Sequence, residues 1–444
     1  MKNKIGVLVP EILLPKNVDL RKWSVVACDQ YTSEPEYWQK VKKIVGSNPS
    51  TLNIIFPEVY LEAPGKQERI KRIKAQMKKY LQTVLTPEKC FVLVDRKTNE
   101  VKSRKGLIMA LDLENYNYHK GAKSLIRCTE GTVLNRLPPR IAIRKEALIE
   151  LPHILILIDD PKKTVVEPLF KNLKHRNKIY DFNLMFSGGH LRGYKINDEK
   201  IIEKTIKNLE KLADKRSFSR KYGVKNEPIV LFAAGDGNHS LATAKATWEL
   251  FKKRLPKSKL VNHPARYALV EVLNIHDTGL IFEPIHRVLF NVNLERLLKE
   301  MDYYYKKQKS TLDYKLFKTD KAAEQATRKA KKGSEHLIKF VSGKKFGVLQ
   351  IKNPKLNLEV GTLQSFLDEY LVKHKETKID YVHGDKAVAK LGRKSGNLGF
   401  YLPVMDKHDL FKTVILDGAL PRKTFSLGEA DEKRYYLECR KIRP

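Results

Sequence analysis

The chain has 444 residues, of which 42% are hydrophobic and 31% charged, an ordinary balance for a soluble globular protein. This length is enough for a large core and two or three subdomains. Every apolar run is shorter than the roughly 18 residues that indicate a transmembrane helix, so no membrane partner is expected.

The formal net charge of +35 is unusual, and lysine supplies most of it. Of the 86 basic residues, 23 are arginine, which leaves 63 lysines spread over the whole chain. Nucleic-acid surfaces commonly use arginine as well, because its guanidinium bridges phosphates and contacts base edges. A nucleic-acid partner therefore stays open, but solvated lysine faces in a protein from a lysine-biased genome are favoured.

The cysteines lack the paired spacing of a zinc site, so free thiols are expected at Cys28, Cys90, Cys128 and Cys439. The first residues lack the pattern of a signal peptide. Both observations predict a cytoplasmic protein, and neither indicates its oligomeric state.

The N-terminal part predicts mixed strands and helices. Ser24–Tyr31 is typical of a buried strand that ends in polar groups, and Glu68–Leu85 predicts an amphipathic helix. Phe91–Val94 and Gly106–Leu113 flank a polar turn and predict a hairpin. The charged helix predicted over Glu199–Lys215 precedes a basic stretch, so we place a boundary near residue 220. The predicted subdomains are 1–220 and 221–444, both α+β.

Arginines are densest at residues 124–144. Pro138 and Pro139 predict loop backbone there rather than helix. An arginine-rich loop in an arginine-poor chain favours anion binding, and an exposed basic loop is the alternative. The candidate residues are Arg127, Thr129, Glu130, Arg136 and Arg140.

Two further turns carry candidate residues. Ile154–Ile158 predicts a buried strand, and the Asp159–Asp160 pair that closes it is able to hold magnesium or to serve as ordinary turn residues. His190 ends a glycine turn that begins at Phe186 and that either closes over a ligand or is a plain loop.

The central stretch predicts a strand at Ile229–Phe232, a tight turn through Gly235, Asp236 and Gly237, and then a helix. Such a turn directs free backbone N–H groups at a ligand, and the helix dipole favours an anion there. We therefore expect phosphate and its metal beside Asp236, with a well-capped structural turn as the alternative. The neighbouring candidates are Asn238, His239 and Ser240.

The rest of the chain offers less chemistry. Tyr267–Leu273 predicts a buried strand, and His286 and Arg287 follow it as a pair that either contacts an anion or lies at the surface. The last residues carry apolar anchors, including Phe425 and Leu437, which predict a tail that docks on the core.

Several segments resemble the bacterial domain-of-unknown-function family 1015. GDGNHSLATA at 235–244 resembles its Asp-Gly-His-His-Arg-x-x-x-Ala motif, and PIHR at 284–287 resembles its Pro-x-His-Arg. VACDQYTSEPEYW, FPEVYLE, TEGTVLNRLPPR, ELPHILILIDDP and the closing LPRKTFSLGEADEKRYYLECRKI also look familial. The resemblance covers nearly the full chain, and this family has no settled activity.

At the level of fold, the Asp-Gly-x-His turn is similar to the Gly-x-x-Arg phosphate loop of the ParB and sulfiredoxin superfamily. This resemblance implies nucleotide phosphates on the turn, and some members are free-serine kinases. Ser240 stands where arginine is usual, which removes a bidentate phosphate clamp. Arg287, or an arginine of the 124–144 stretch, is the candidate substitute.

Together these observations predict an α+β fold of mixed sheets and packed helices. The predicted function is a nucleotide- or phosphometabolite-dependent phosphotransferase, with ATP or ADP and magnesium, acting on a small hydroxyl substrate such as serine. Asp236 would hold magnesium or accept the hydroxyl proton, and His239 or Glu130 is the next candidate base. The alternatives are a ParB-like nucleic-acid-binding protein and a regulatory module that binds a phosphorylated metabolite without chemistry.

Overall fold

The computed structural model describes residues 3–32, 34–119, 121–151, 153–171, 173, 177–328, 334–428 and 432–444. Within them the chain has the predicted α+β class, with mixed sheets and packed helices. It divides into two compact units: unit 1 is Met1–Ile281 with Leu427–Pro444, and unit 2 is Phe282–Ser426. No described helix is long and apolar enough to cross a membrane.

Unit 1 is built from short strands and helices. Its strands before the tail are β1 (Val7–Leu8), β2 (Glu11–Pro15), β3 (Leu85–Lys89), β4 (Phe91–Lys97), β5 (Arg104–Asp112), β6 (Ile126–Cys128), β7 (Ile149–Glu150), β8 (Leu155–Ile158), β9 (Lys178–Asn183), β10 (His190–Ile196), β11 (Phe232–Asp236) and β12 (Tyr267–Asn274). Its α-helices are α1 (Leu20–Trp23), α2 (Pro35–Val45), α3 (Lys66–Thr83), α4 (Leu137–Arg144), α5 (Glu199–Leu212), α6 (Lys215–Tyr222), α7 (Asn238–Lys252) and α8 (Lys257–Leu260). Short 3-10 turns span Thr51–Asn53, Glu58–Tyr60, Leu113–Asn115, Leu134–Arg136, Glu167–Phe170 and Pro264–Arg266.

Among the described residues, the strands of the main sheet of unit 1 follow the order β6-β11-β8-β12-β5-β4-β10-β9, and β1 pairs with β5. The pairs β6–β11 and β8–β12 are parallel, whereas β11–β8 and β12–β5 are antiparallel. Alternate residues of β4 enter two different cores: Val92 and Val94 pack with α2 and α3, and Phe91 and Leu93 pack with α5 and α7. Because successive side chains of a strand point to opposite faces, both faces of the sheet are buried at β4.

Unit 2 holds a second sheet. Its strands are β13 (Phe282–Phe290), β14 (Thr311–Phe317), β15 (Glu335–Ser342), β16 (Lys345–Lys352), β17 (Lys378–His383) and β18 (Asn397–Tyr401). Among the described residues they follow the order β14-β16-β15-β18-β13-β17, and each neighbouring pair is antiparallel. The helices are α9 (Leu294–Lys307), α10 (Asp320–Thr327), α11 (Glu359–Lys373), α12 (Asp385–Gly392) and α13 (Asp409–Leu416). Strand β19 (Phe425–Leu427) lies where unit 2 ends, and β20 (Arg440–Lys441) belongs to the tail of unit 1.

The units divide the chain elsewhere than at the predicted boundary near residue 220. Strand β11 pairs with both β6 and β8, so the segment after residue 220 completes the sheet of unit 1. Strand β20 pairs with β7, and Tyr435, Leu437 and Cys439 are buried. The C-terminal tail therefore docks on the core of unit 1, as predicted.

The loop predicted at Pro138 and Pro139 is wrong, because helix α4 begins at Leu137 and both prolines lie in its first turn. Proline is tolerated there, since the first N–H groups of a helix have no intrahelical partner. Arg140 and Arg144 consequently project from a helix. The strand predicted at Ile229–Phe232 instead begins at Phe232 and runs to Asp236.

Candidate functional site

The predicted turn between strand and helix is present at the end of β11. Gly237 has a φ of 75°, in the left-handed region, and α7 starts at the next residue. A Cβ on Gly237 would lie 2.9 Å from the Cα of Ile154. Both the backbone conformation and the close approach of β8 therefore require glycine.

The N-terminus of α7 lacks a side-chain cap among the described residues. Asp236 Oδ1 instead accepts a 2.8 Å hydrogen bond from the N–H of Gly237, one residue before the helix. Asn238 is buried, and its Oδ1 has no hydrogen-bond partner within the described chain. The first N–H groups of a helix carry partial positive charge, so this end of α7 favours an anion.

Lys433 adds a cation to the turn from the C-terminal tail. Its Nζ lies 3.2 Å from Asp236 Oδ2, and the two side chains are 15% and 26% exposed. The turn thus pairs its aspartate with a lysine of the tail, and Ser240 stands where the sequence resemblance implied an arginine.

His153 connects the turn to the N-terminal part of unit 1. Its Nε2 lies 3.2 Å from Ser240 Oγ and 3.3 Å from Asp29 Oδ2, and its Nδ1 lies 2.9 Å from the hydroxyl of Tyr436. In a Ser-His-Asp triad the serine and the aspartate bind opposite ring nitrogens. Here both approach the same nitrogen, so the cluster is not such a triad.

The charges of this cluster support a protonated imidazole. Burial lowers the pKa of His153, but the Asp29 carboxylate outweighs it and holds the pKa above its ordinary value, with help from Asp236 and Glu58. Burial raises the pKa of Asp29, yet His153 outweighs it and holds that pKa below the ordinary range. Both shifts favour an ion pair between the buried His153 and the partly exposed Asp29.

Cys28 lies on the far side of Tyr436, whose hydroxyl donates to Cys28 Sγ at 3.1 Å. Burial raises the pKa of the Cys28 thiol well above its ordinary value, and the carboxylates of Asp29 and Glu58 raise it further. Cys28 is therefore a neutral thiol and a poor nucleophile.

We expect Asp29→Asn to lower the free energy of unfolding by about 2 kcal/mol at pH 6, because a hydrogen-bonded charge pair is lost. The raised pKa of His153 gives a contribution that is complete below its ordinary value of 6.5 and lost as the pH rises through the folded value. The depressed pKa of Asp29 gives a contribution that is complete above its ordinary value of 3.8 and lost as the pH falls through the folded value. Urea unfolding of both proteins from pH 3 to pH 9 measures the difference, which should shrink at both ends. A difference that stays constant over this range would contradict the ion pair.

Segment 129–133 lies beside the turn. Thr129 is fully buried and donates from Oγ1 to the carbonyl of Ala234 at 2.6 Å. The N–H of Val133 donates to Nε2 of His239 at 3.3 Å. The structure therefore brings Thr129 and His239 together with Asp236, and Glu130 lies between the two points of contact. Arg127 precedes this segment, is buried, and donates to the carbonyls of Ser124 and Pro228.

Arg140 reaches the same region from α4. It forms a two-point ion pair with Glu58, with one N–O distance of 2.7 Å, and donates to the carbonyl of Arg136 at 2.7 Å. Burial raises the pKa of Glu58, and Arg140 opposes that effect. Arg136 itself is exposed.

Asp159 and Asp160 lie at the opposite end of β8 from the turn. Leu155 is the register partner of Asp236, and Asp159 is four residues further along, about 13 Å away at the usual rise of a strand. Asp159 pairs with Lys221 and His276, each at 2.7 Å. Asp160 accepts from the N–H of Val165 at 2.9 Å. These aspartates do not join Asp236, and the described residues contain no group of three His, Cys, Asp or Glu placed to hold a metal.

The remaining predicted residues lie in other surroundings. His190 begins β10 and contacts Asn183 at 2.7 Å and Asp181 at 2.6 Å across the hairpin. His286 and Arg287 belong to β13 of unit 2. His286 Nε2 lies 3.0 Å from Asp385, and Arg287 is fully buried among the carbonyls of residues 285, 422 and 423.

A cavity of about 150 Å³ borders the cluster in unit 1. Ser240 and Thr243 of α7 line it, as do Glu58 and Arg140. Sequence reasoning missed four residues of this region: Asp29, His153, Lys433 and Tyr436. All four lie in segments that resemble the family, and this resemblance was the one sequence signal that could have pointed to them. Their contacts with each other could not be predicted, because they join residues far apart in the chain.

The chain belongs to the family described as "Protein of unknown function (DUF1015)", whose sequence pattern matches residues 12–370. No curated protein matches the chain. Membership therefore identifies the family and assigns no activity.

Several solved structures share a distant likeness with the chain. A free serine kinase in complex with AMP is 12% identical, covers 76% of this chain and 91% of its own, and has a TM-score of 0.36. A conserved hypothetical protein from Pyrococcus furiosus is 14% identical over 76% of this chain and 95% of its own, with a TM-score of 0.34. SbnI from Staphylococcus aureus, truncated at its C-terminus, is 9% identical over 72% of this chain and 83% of its own, with a TM-score of 0.34.

Proposed function

We propose that the chain is a phosphotransferase that binds nucleotide phosphates at Gly235–Ser240 and transfers a phosphoryl group to the hydroxyl of a small molecule. The observation that carries this proposal is the uncapped start of α7 behind a left-handed glycine, with Lys433 beside it. Helix N-termini of this kind bind phosphate through backbone N–H groups and the helix dipole.

The residues present fit a phosphate group. The orphaned, buried Oδ1 of Asn238 indicates a polar occupant such as a water or a ligand hydroxyl near the first turn of α7. Lys433 and His153 supply positive charge that Ser240 lacks. Phosphoryl transfer needs mainly positioning and charge neutralisation, and these side chains provide both.

The residues also fit a magnesium ion held chiefly by a nucleotide. Magnesium in such sites keeps several waters and takes one or two carboxylates besides the phosphates. Asp236 is the carboxylate at the turn, and bound magnesium would neutralise phosphate charge there. Asp159 and Asp160 are not part of this proposal, because they lie at the other end of β8.

Several groups remain candidates for the base that accepts the hydroxyl proton. Asp236 ends β11, His239 lies in the first turn of α7, and Glu130 follows the buried Thr129. The structure adds Asp29 to these candidates, because its carboxylate and the Ser240 hydroxyl both contact Nε2 of His153. The depressed pKa of Asp29 keeps it ionised, which makes it a weaker base than a histidine near neutrality.

Lys433→Met should weaken nucleotide binding and leave the fold intact. We expect one nucleoside phosphate, at about a hundred times its dissociation constant, to stabilise the native chain by roughly 2.7 kcal/mol. A thermal-shift screen against nucleoside mono-, di- and triphosphates, with and without magnesium, measures this effect. The shift should fall clearly in Lys433→Met because a charge-assisted contact is lost.

The matched control is Lys352→Met, which removes an exposed lysine–aspartate pair in unit 2. It should retain the full nucleotide shift. Equal shifts in Lys433→Met and the control would remove Lys433 from the binding site. No shift with any phosphate compound would leave the turn with a structural role.

A regulatory binding module is the second candidate, favoured by one observation. Asp236 is paired with Lys433, and Asp29 with His153, so these two carboxylates are already neutralised by cations in the absence of ligand. In that case nucleotide or a phosphorylated metabolite binds, and no phosphoryl transfer occurs to any of a panel of hydroxyl acceptors. Phosphoryl transfer to any acceptor would instead support the phosphotransferase.

A further inference from the structure

The cavity beside α7 has mainly apolar walls. Its volume is about 150 Å³, and the side chains that form the walls include Ile54, Phe56, Ile70, Ile73, Met77 and Ile149. All six are at least nine-tenths buried and belong to the core that packs on one face of the main sheet. An apolar cavity of this size is large enough to bind benzene.

Part of the cavity lining is polar and belongs to the candidate site. Ser240, Tyr436 and Cys28 are in this polar part, and all three are joined through His153 or through the Tyr436 hydroxyl. Glu58 and Arg140 also line it, but they bind each other at two points. Ser240 therefore presents a hydroxyl to a ligand without breaking an ion pair.

Two exposed residues also line the cavity. They are Lys74 of α3 and Glu146, which follows α4, and their ion pair measures 3.1 Å. Both side chains are more than 40% exposed, so the pair contributes little free energy and separates readily. A small molecule consequently has a route from solvent into the cavity.

We infer that this cavity binds a small alcohol whose apolar part, a ring or branched chain of about six carbons, lies among the isoleucines while its hydroxyl faces Ser240. The inference deepens the proposed function, on which it rests, by assigning the class of phosphoryl acceptor. Serine is a poorer occupant, because its ammonium and carboxylate would lose water among apolar side chains. The charged groups of the lining, such as Arg140 with Glu58 and Arg144 with Glu150, are already paired with each other.

The test uses alcohols alone, without nucleotide, on the full chain. Benzyl alcohol and the linear alcohols from propanol to hexanol are compared with serine and glycerol by their effect on the melting temperature. Each added methylene should tighten binding about fourfold until the cavity is filled, which corresponds to roughly 0.8 kcal/mol per buried methylene. Tighter binding of serine or glycerol than of benzyl alcohol, or no binding of any alcohol, would overturn the inference.

Ala147→Leu should abolish the alcohol effect, because Ala147 lines the cavity and a larger side chain occupies its space. Ala213→Leu makes the same change at the end of α5, outside the cavity, and should bind benzyl alcohol as the unchanged protein does. If Ala147→Leu does not fold, Ile143→Phe fills the cavity from α4 instead. Unchanged binding in a folded, cavity-filled variant would refute this site.

Nucleotide shifts measured on the same variants separate the two proposals. Alcohol binding that Ala147→Leu abolishes, together with no nucleotide shift in any protein, supports the cavity site and contradicts the phosphotransferase. A nucleotide shift that depends on Lys433, together with no alcohol binding, supports the phosphate site and overturns the apolar acceptor.

Discussion

Arg434→Ala is expected to lower the free energy of unfolding by about 3–5 kcal/mol, because it leaves two buried carboxylates without their cation. Nε of Arg434 lies 2.6 Å from Glu271, and its Nη2 lies 2.6 Å from Glu438. The three side chains are at most 4% exposed. Burial lowers the pKa of Arg434, but the two carboxylates outweigh it and hold the pKa above its ordinary value. Urea unfolding followed by circular dichroism measures the loss.

The geometry around Glu271 leaves no easy relaxation. A Cβ on Gly106 would lie 2.3 Å from Glu271 Oε1, so the carboxylate is held close against the backbone of β5. Tyr180 also donates a short hydrogen bond to Glu438. Arg21→Ala is the control, since it removes an exposed ion pair with Asp19 and should give no measurable change. A loss as small as the control's would show that water or another cation replaces the guanidinium.

The sequence predicted the elements whose pattern is local. The hairpin of β4 and β5, the buried strand β8 and the turn before α7 depend on alternation, apolar runs and glycine at neighbouring positions. Gly237 is the clearest case, because its positive φ and the backbone of Ile154 both exclude a side chain. The docked tail followed from apolar anchors that only a core can accommodate.

The partners of the site residues could not be predicted in this way. His153 meets Asp29, Ser240 and Tyr436, and Asp236 meets Lys433. These contacts join segments separated by more than 80 residues, and tertiary packing alone determines them. A polar residue at the end of a strand looks the same whether it faces a ligand or a lysine. Asp159 shows this, since its strand-end position left both magnesium and an ordinary turn open, and the structure pairs it with Lys221.

The turn before α7 has a balanced set of charges without ligand. Lys433, His153 and Arg140 are accompanied by Asp236, Asp29 and Glu58, one acidic partner for each basic group. A phosphate group would add negative charge near the turn. The partial positive charge at the N-terminus of α7 could balance part of it, because no capping side chain among the described residues neutralises that charge. Binding should therefore be strongest when a cation such as magnesium accompanies the phosphate, or when Lys433 moves from Asp236 to the ligand.

Asp236→Asn should reduce phosphoryl transfer by about 10²- to 10⁴-fold, the range for loss of a positioned base or an equivalent charged group. Asparagine retains the oxygen that accepts from the N–H of Gly237, so the turn keeps its hydrogen bond. It loses the charge that pairs with Lys433, which costs about 1 kcal/mol or less for a partly exposed pair. Steady-state transfer from the nucleotide identified by thermal shift to the best acceptor alcohol measures the loss, and the melting temperature measures stability.

Asp313→Asn is the matched control, because it removes the carboxylate of an exposed lysine–aspartate pair on β14, outside unit 1. Its transfer rate should equal that of the unchanged protein. If Asp236→Asn also retained full transfer, Asp236 would have no part in the reaction, and Asp29, His239 and Glu130 would be the bases left to test. If Asp236→Asn lost transfer but kept the nucleotide shift, its carboxylate would act in the chemical step rather than in binding, because uniform binding changes affinity without changing the rate at saturation.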